Sequence, residues 1–163
     1  MSSKDALAHE FKQIDVGANQ ENKRLVLEFQ KEFEASSLQN LTKTLENYTS
    51  YNYAWHGVYP FEDQQGSEAA VENFWKPLLS SWKYVQRRQD IFIAGESVFG
   101  GNWVSSMGHF VGMFERDWLG IPAAGKMTFL RYCEFHRIEA GKITETYFHA
   151  DLLGVMDQAG VYP

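Results

Sequence analysis

A single cysteine, Cys133, stands alone in 163 residues, so an intrachain disulfide is excluded and no metal-ligand spacing involves sulfur. Basic runs are equally scarce. None is longer than the Arg87-Arg88 pair, and with a net charge of -6 and a pI near 5.3 the chain lacks the basic face that a nucleic-acid partner requires. Long apolar runs are missing too; stretches such as Ile91 to Ala94 fall far short of a membrane span. The opening MSSKDALAHEF is polar and lacks the apolar stretch of a secretory signal. A soluble, reducing, cytoplasmic protein with no membrane contact is the expectation. No internal repeat, low-complexity tract or interdomain linker breaks the chain. The motifs G-x-S-x-G, H-E-x-x-H, paired C-x-x-C and the phosphate loop are absent, leaving nucleophile-elbow hydrolases, zinc sites and nucleotide enzymes without support.

What is present is an apolar share of 44% with 15% aromatic, enough for one domain with a substantial core. The first half has helical period. Asn22 to Glu34 carries Leu25, Val26, Phe29 and Phe33 on one stripe, and a second helix capped by Ser36 or Ser37 carries Leu38, Leu41, Leu45 and Tyr48. Leu7, Phe11 and Ile14 mark a weaker leading arm over residues 1–18, with one domain expected over 19–163. Tyr48 to Gly66 follows neither period and reads as a long irregular connection. Ser67 caps a helix with Val71, Phe74, Trp75, Leu78 and Trp82 in register, interrupted or restarted at Pro77.

The second half changes period. Tyr84 to Phe99, Trp103 to Phe114, Lys126 to Ile138 and Lys142 to Asp151 read as strands joined by glycine-bearing turns, and Leu152 to Gln158 as a closing helix. Helices followed by an antiparallel meander give an α+β fold.

Two strands carry the titratable residues. Tyr132, Glu134 and His136 share one face of the third strand; Tyr147, His149 and Asp151 share one face of the fourth. If the intervening hairpin places both faces on the same side, two carboxylates, two imidazoles and two phenols converge. In a desolvated hollow each carboxylate would raise the other's pKa, separating an acid from a base. The pattern alone leaves a second reading open, in which these alternating polar residues face water and Asp151 caps the closing helix. His109 shares a face with Trp103, Ser105, Met107 and Val111 and reads as a hydrogen-bonded core histidine. His56 sits beside Trp55 in the irregular segment. The rings of Phe74, Trp75 and Trp82 read as core before cavity wall, and Arg87-Arg88 with Asp90 as surface ion pairs.

In combination, GNWV (Gly101 to Val104), GIPAAGK (Gly120 to Lys126) and FHRIEAGKITETYFHADLLGVMDQAG (Phe135 to Gly160) resemble the SnoaL-like polyketide cyclases of the NTF2-like superfamily. The resemblance is specific over Gly101 to Gly160 and looser over Trp55 to Trp82. It implies a cone: N-terminal helices packed on a curved antiparallel sheet. It also implies cofactor-free acid–base chemistry with no metal, acting on a small hydrophobic or aromatic carbonyl compound by aldol-type ring closure, isomerisation or a related proton abstraction. Asp151 matches the family's acid–base aspartate. Tyr147 replaces a tryptophan, and Glu134 stands where a substrate-polarising histidine is expected; His149 or His136 would take over polarising the carbonyl, and one of Glu134, His149 or Tyr132 would hydrogen-bond the developing enolate. Tyr132, His136, Tyr147, His109, Trp55, His56, Trp75 and Trp103 would then line the substrate. The wider NTF2-like superfamily also includes ligand-binding modules without chemistry, and scaffolds that form homodimers through the open sheet face.

Overall fold

The computed structural model of the chain describes residues 16–162. Leu7, Phe11 and Ile14, with nearly all of the expected arm, lie outside the described residues. Helix α1 (Val16–Ala35) begins earlier than its periodicity suggests and buries Val26, Phe29, Gln30 and Phe33 on one stripe. A glutamine on that stripe is a polar group carried into the core, where it needs a partner. Helix α2 (Leu41–Tyr48) starts beyond the expected serine cap. Ser36 Oγ donates instead to the Glu32 carbonyl at 2.8 Å, and Asn40 stands at the N-cap without a side-chain bond.

The segment expected to be irregular is a strand. β1 (Thr49–Gly57) pairs in parallel with the last strand, and an irregularity between Thr49 and Ala54 scrambles the alternation that would have revealed it. Tyr53 and Trp55 are nevertheless buried. The short β2 (Gln64–Gln65) returns antiparallel to β1. A continuous helical stretch follows: α3 (Ser67–Ala70), a π turn (Val71–Trp75) and α4 (Lys76–Ser81). The π turn has a local cause. Pro77 carries no N–H for the Asn73 carbonyl and its ring crowds the preceding turn, so the chain widens, with the Lys76 N–H reaching Val71.

Four long strands complete the sheet: β3 (Trp82–Glu96), β4 (Asn102–Phe114), β5 (Met127–Glu139) and β6 (Lys142–Ala150), followed by helix α5 (Leu152–Gln158). The order is β2-β1-β6-β5-β4-β3, antiparallel except for β1 against β6. The sheet is curved and unclosed, with helices packed on one face, as the α+β reading expected. That inner face holds a ring-rich core: Phe74 and Phe148 centroids are 4.7 Å apart, Trp55 and Phe74 4.8 Å, and Phe110 and Tyr132 4.7 Å. Trp75 and Trp82 are core residues, as their helical stripe suggested. Among the described residues no helix is long and apolar enough to cross a membrane.

Candidate functional site

Two irregularities in β3 build the inner site. Its register against β4 slips between Lys83 and Gln86 and again between Gln89 and Ile91. Opposite them stand Gly112 and Gly108, where an added Cβ would lie 2.9 Å from the Lys83 carbonyl oxygen and 2.0 Å from that of Arg88. Only glycine permits so close an approach. Between the two bulges Arg87 and Gln89 turn inward, opposite Phe110 and Gly108. The side chain of Arg87 is only 4% exposed, which corrects its expected place in a surface ion pair with Asp90. Asp90 instead lies 3.3 Å from His109.

Glu134 is the centre of the cluster and is fully buried. Its Oε1 accepts from Arg87 Nη1 and, at 2.8 Å, from Gln30 Nε2. Arg87 Nε donates to Glu34 at 2.8 Å, and its guanidinium lies 4.7 Å from the Phe110 centroid and 5.0 Å from that of Tyr132. Gln89 Nε2 reaches both Gln30 Oε1 (3.1 Å) and Ser106 Oγ (2.8 Å), and Ser106 is 2.8 Å from the Tyr132 hydroxyl. His136 Nδ1 pairs with Thr146 Oγ1 at 2.9 Å. Its Nε2 stands 3.5 Å from Glu134 Oε1, too far for a hydrogen bond. Two buried atoms are therefore unpartnered, Glu134 Oε2 and His136 Nε2.

The electrostatics reverse the expectation of mutually repelling carboxylates. Burial alone pushes Glu134 upward, but Arg87, and after it His136, bring its pKa down to about 2. Burial opposes the charge on Arg87 as well, yet Glu134 and Glu34 keep its pKa above the ordinary arginine value. Tyr132 is raised by burial against the opposing pull of Arg87. Glu134 is thus a fixed anion at neutral pH and donates no proton.

Tyr147, His149 and Asp151 lie elsewhere, a correction to the expected convergence. A regular two-residue hairpin would set Glu134 beside Tyr147, and the pairs Glu139–Lys142 and Ile138–Ile143 begin that way. The register then shifts by one residue at Thr144, so that Glu134 pairs with Phe148 and Cys133 with His149. One extra residue inverts every later side chain on β6. Phe148 and Thr146 go inward; Tyr147 and His149 go outward and are exposed. Asp151 is also exposed, its carboxylate accepting from the Gly154 N–H at 2.9 Å as the cap of α5.

The outer face gathers several of the residues assigned to substrate. Trp103, Phe135, Tyr147 and His149 line a cavity of about 530 Å3 with Ile93 and Ser105. His56 stacks on Tyr147 with centroids 4.4 Å apart, and its Nδ1 lies 3.0 Å from the accepting Oδ1 of Asp63. His109 also belongs to this face, half-exposed beside Asp90 and Arg131, and is not the core histidine expected. Sequence reasoning found Glu134, His136 and Tyr132 but missed Arg87, Gln30, Gln89, Ser106 and Thr146. Gln30 on an apolar stripe and Gly108 and Gly112 inside a strand were the readable signals. Among the described residues no group of three or more His, Cys, Asp or Glu side chains could hold a metal ion.

Residues 85–159 match the family model of the SnoaL-like polyketide cyclases. Among solved structures, the chain is similar to a candidate SnoaL-like polyketide cyclase from Jannaschia sp. CCS1, with a TM-score of 0.71 and 18% identity over 89% of this chain and 95% of that one. AclR, a candidate hydroxylase from Streptomyces galilaeus, gives a TM-score of 0.69 and 18% identity over 88% and 87%. An NTF2-like protein from Burkholderia thailandensis gives 0.57 and 19% over 80% and 94%. At these identities the likeness is one of fold. No curated protein matches the chain.

Proposed function

We propose that this SnoaL-like domain on an NTF2-like fold is a cofactor-free acid–base enzyme of the polyketide-cyclase type. Its substrate is a small, largely apolar carbonyl compound, and its chemistry takes place at the inner cluster, with His136 as the proton carrier. One observation carries the reading. In a network where the surrounding polar groups are paired, Glu134 Oε2 and His136 Nε2 are fully buried and unpartnered. Leaving such atoms unmet costs on the order of 1–3 kcal/mol each, more when charged, which an arriving hydroxyl, enol or carbonyl group would relieve. The Thr146 contact at Nδ1 leaves Nε2 as the free ring nitrogen. Nε2 then removes a proton beside the substrate carbonyl, and the adjacent Glu134 anion stabilises the imidazolium that forms.

The test is deuterium exchange at the carbon beside the carbonyl of 2-tetralone in D2O, followed by NMR. Exchange should exceed the buffer rate, and His136→Gln should abolish the excess. Asp151→Asn, which alters the residue that the family resemblance makes the base, should retain it. Loss in Asp151→Asn with retention in His136→Gln would move the chemistry to the outer face. Wild-type exchange at the buffer rate would end the proposal.

A second reading rests on the outer face. Ile91, Ile93, Met127, Phe129, Phe135 and Tyr147 remain 38–60% exposed there, the kind of contiguous apolar surface that associates. In this reading the chain is a homodimer with a hydrophobic ligand-binding groove. Phe135→Glu should give a monomer by sedimentation; an unchanged mass would count against pairing through this face. The unpaired Cys133 thiol supports a reducing, cytoplasmic setting.

A further inference from the structure

The fold treats the two oxygens of Glu134 unequally. Oε1 accepts from Arg87 Nη1 and, at 2.8 Å, from Gln30 Nε2, while Oε2 of the same fully buried carboxylate has no partner. An ionised carboxylate accepts hydrogen bonds and cannot donate them. Arg87 keeps Glu134 ionised near neutral pH, so the group that completes Oε2 must bring an O–H or N–H. A carbonyl or ether oxygen in that position would add repulsion to the desolvation already present.

The donors nearest to Oε2 are directed elsewhere. Arg87 Nε goes to Glu34, Gln89 Nε2 goes to Gln30 and Ser106, and the hydroxyls of Ser106 and Tyr132 meet each other. Thr146 is turned to His136 Nδ1. The other neighbours are rings. Phe148 is paired with Glu134 across β5 and β6, and Phe29 meets the His136 ring edge-on with centroids 5.9 Å apart. Glu134 already has its cation in Arg87, so a second one would be desolvated for little return. The missing donor is a neutral group from outside the chain.

We propose that the substrate is a neutral hydroxy ketone, whose hydroxyl donates to Glu134 Oε2 while His136 Nε2 removes a proton from a carbon close by. This rests on the acid–base reading of the same cluster and makes Glu134 its specificity-determining residue. His136 Nε2 lies 3.5 Å from Oε1 of that carboxylate, so the hydroxyl and the acidic C–H belong to one end of one molecule. The C–H proton passes to Nε2 and its bonding pair moves to the carbonyl oxygen, giving the enolate. The hydroxyl keeps its proton, because a carboxylate held ionised by Arg87 is too weak a base to take it. The imidazolium then returns the proton to carbon.

The probes are 8-hydroxy-2-tetralone and 8-methoxy-2-tetralone, whose oxygen stands beside the exchanging carbon and donates only in the first. Titration calorimetry on the intact chain gives the affinities, and NMR in D2O gives exchange rates relative to buffer. The hydroxy compound should bind about 10–100-fold more tightly than the methoxy compound, the usual reach of a hydrogen bond to a charged group, and exchange faster by a similar ratio. Glu134→Gln alone would strand the Arg87 charge, so the variant is Arg87→Met/Glu134→Gln, in which the preference should shrink at least about fivefold. Equal binding of the two compounds, with exchange above the buffer rate, would overturn the proposal and leave the acid–base reading standing. A preference unchanged in the double variant would overturn it too, by moving the discrimination off Glu134, as would failure of both compounds to bind. A preference lost in the double variant, with no exchange above buffer, would uphold hydroxyl recognition by Glu134 and end the acid–base reading.

Discussion

Replacing Arg87 with methionine should invert the pH dependence of stability between pH 3 and 6. In the wild-type protein Glu134 has its pKa held at about 2, against 4.5 for an ordinary glutamate. A depressed carboxyl pKa stabilises the fold fully above the unfolded value, and that stability is lost as pH falls from 4.5 towards 2. At 1.36 kcal/mol per unit the difference corresponds to about 3 kcal/mol. In Arg87→Met the favourable charge is gone while the burial of Glu134 persists, so its pKa rises above 4.5. Stability then falls as pH rises past that point, because the buried carboxyl group must ionise without a partner.

At pH 7 the single variant should lose about 3–5 kcal/mol, the usual consequence of leaving one half of a buried ion pair. The Arg87→Met/Glu134→Gln double variant removes both charges while keeping the stem that packs on Phe110 and Tyr132. It should recover most of the loss and show no slope from this site. Urea unfolding followed by tryptophan fluorescence at half-unit pH steps reads all three chains. Parallel pH profiles for Arg87→Met and the double variant would refute the reasoning, since they would mean that Glu134 does not depend on Arg87 for its charge.

Gly108→Ala would place a methyl group 2.0 Å from the Arg88 carbonyl oxygen. It should lower stability by about 3 kcal/mol or more through opening of the β3 bulge, visible as a reduced thermal midpoint. Asp151→Ala removes the cap bond to Gly154 and should lose about 0.5–2 kcal/mol in urea, while Asp151→Asn should lose much less. Deleting Thr144 closes the irregularity and leaves Phe148 opposite Glu134 on the inner face, so a loss of no more than about 1–2 kcal/mol in the same assay is expected, and a larger one would show that the extra residue is itself required.

The architecture was readable because long strands and amphipathic helices advertise themselves by period. Strands β3 to β6 and helix α5 match their expected spans to within three residues, apart from the register inside them. β1 was hidden because its irregularity breaks the alternation over Ser50 to Asn52, and because its pairing partners on β6 lie more than ninety residues away in sequence. The inner cluster was half visible. Tyr132, Glu134 and His136 alternate cleanly on β5, whereas Arg87 in the run Gln86-Arg87-Arg88-Gln89 looks like any solvated edge. Its burial follows from two bulges opposite Gly108 and Gly112, and their placement depends on a strand pairing that no local window contains.

The same physics explains why acid–base residues on adjacent strands ended on opposite sides of the sheet. Side-chain direction in a strand is a parity, and one inserted residue flips it for everything beyond. Thr144 is such an insertion, and it decides that Phe148 completes the ring-rich core while His149 joins the outer groove. The bulges of β3 act in the opposite sense, turning inward a cation that alternation alone would leave on a polar strand. The inner face thereby gains a buried positive charge and loses one carboxylate. Glu134, the remaining central carboxylate, is neutralised by Arg87 and becomes a fixed electrostatic partner. With that carboxylate held as an anion, the proton carrier we propose inside the fold is the imidazole of His136, whose Nε2 is unpartnered like Glu134 Oε2.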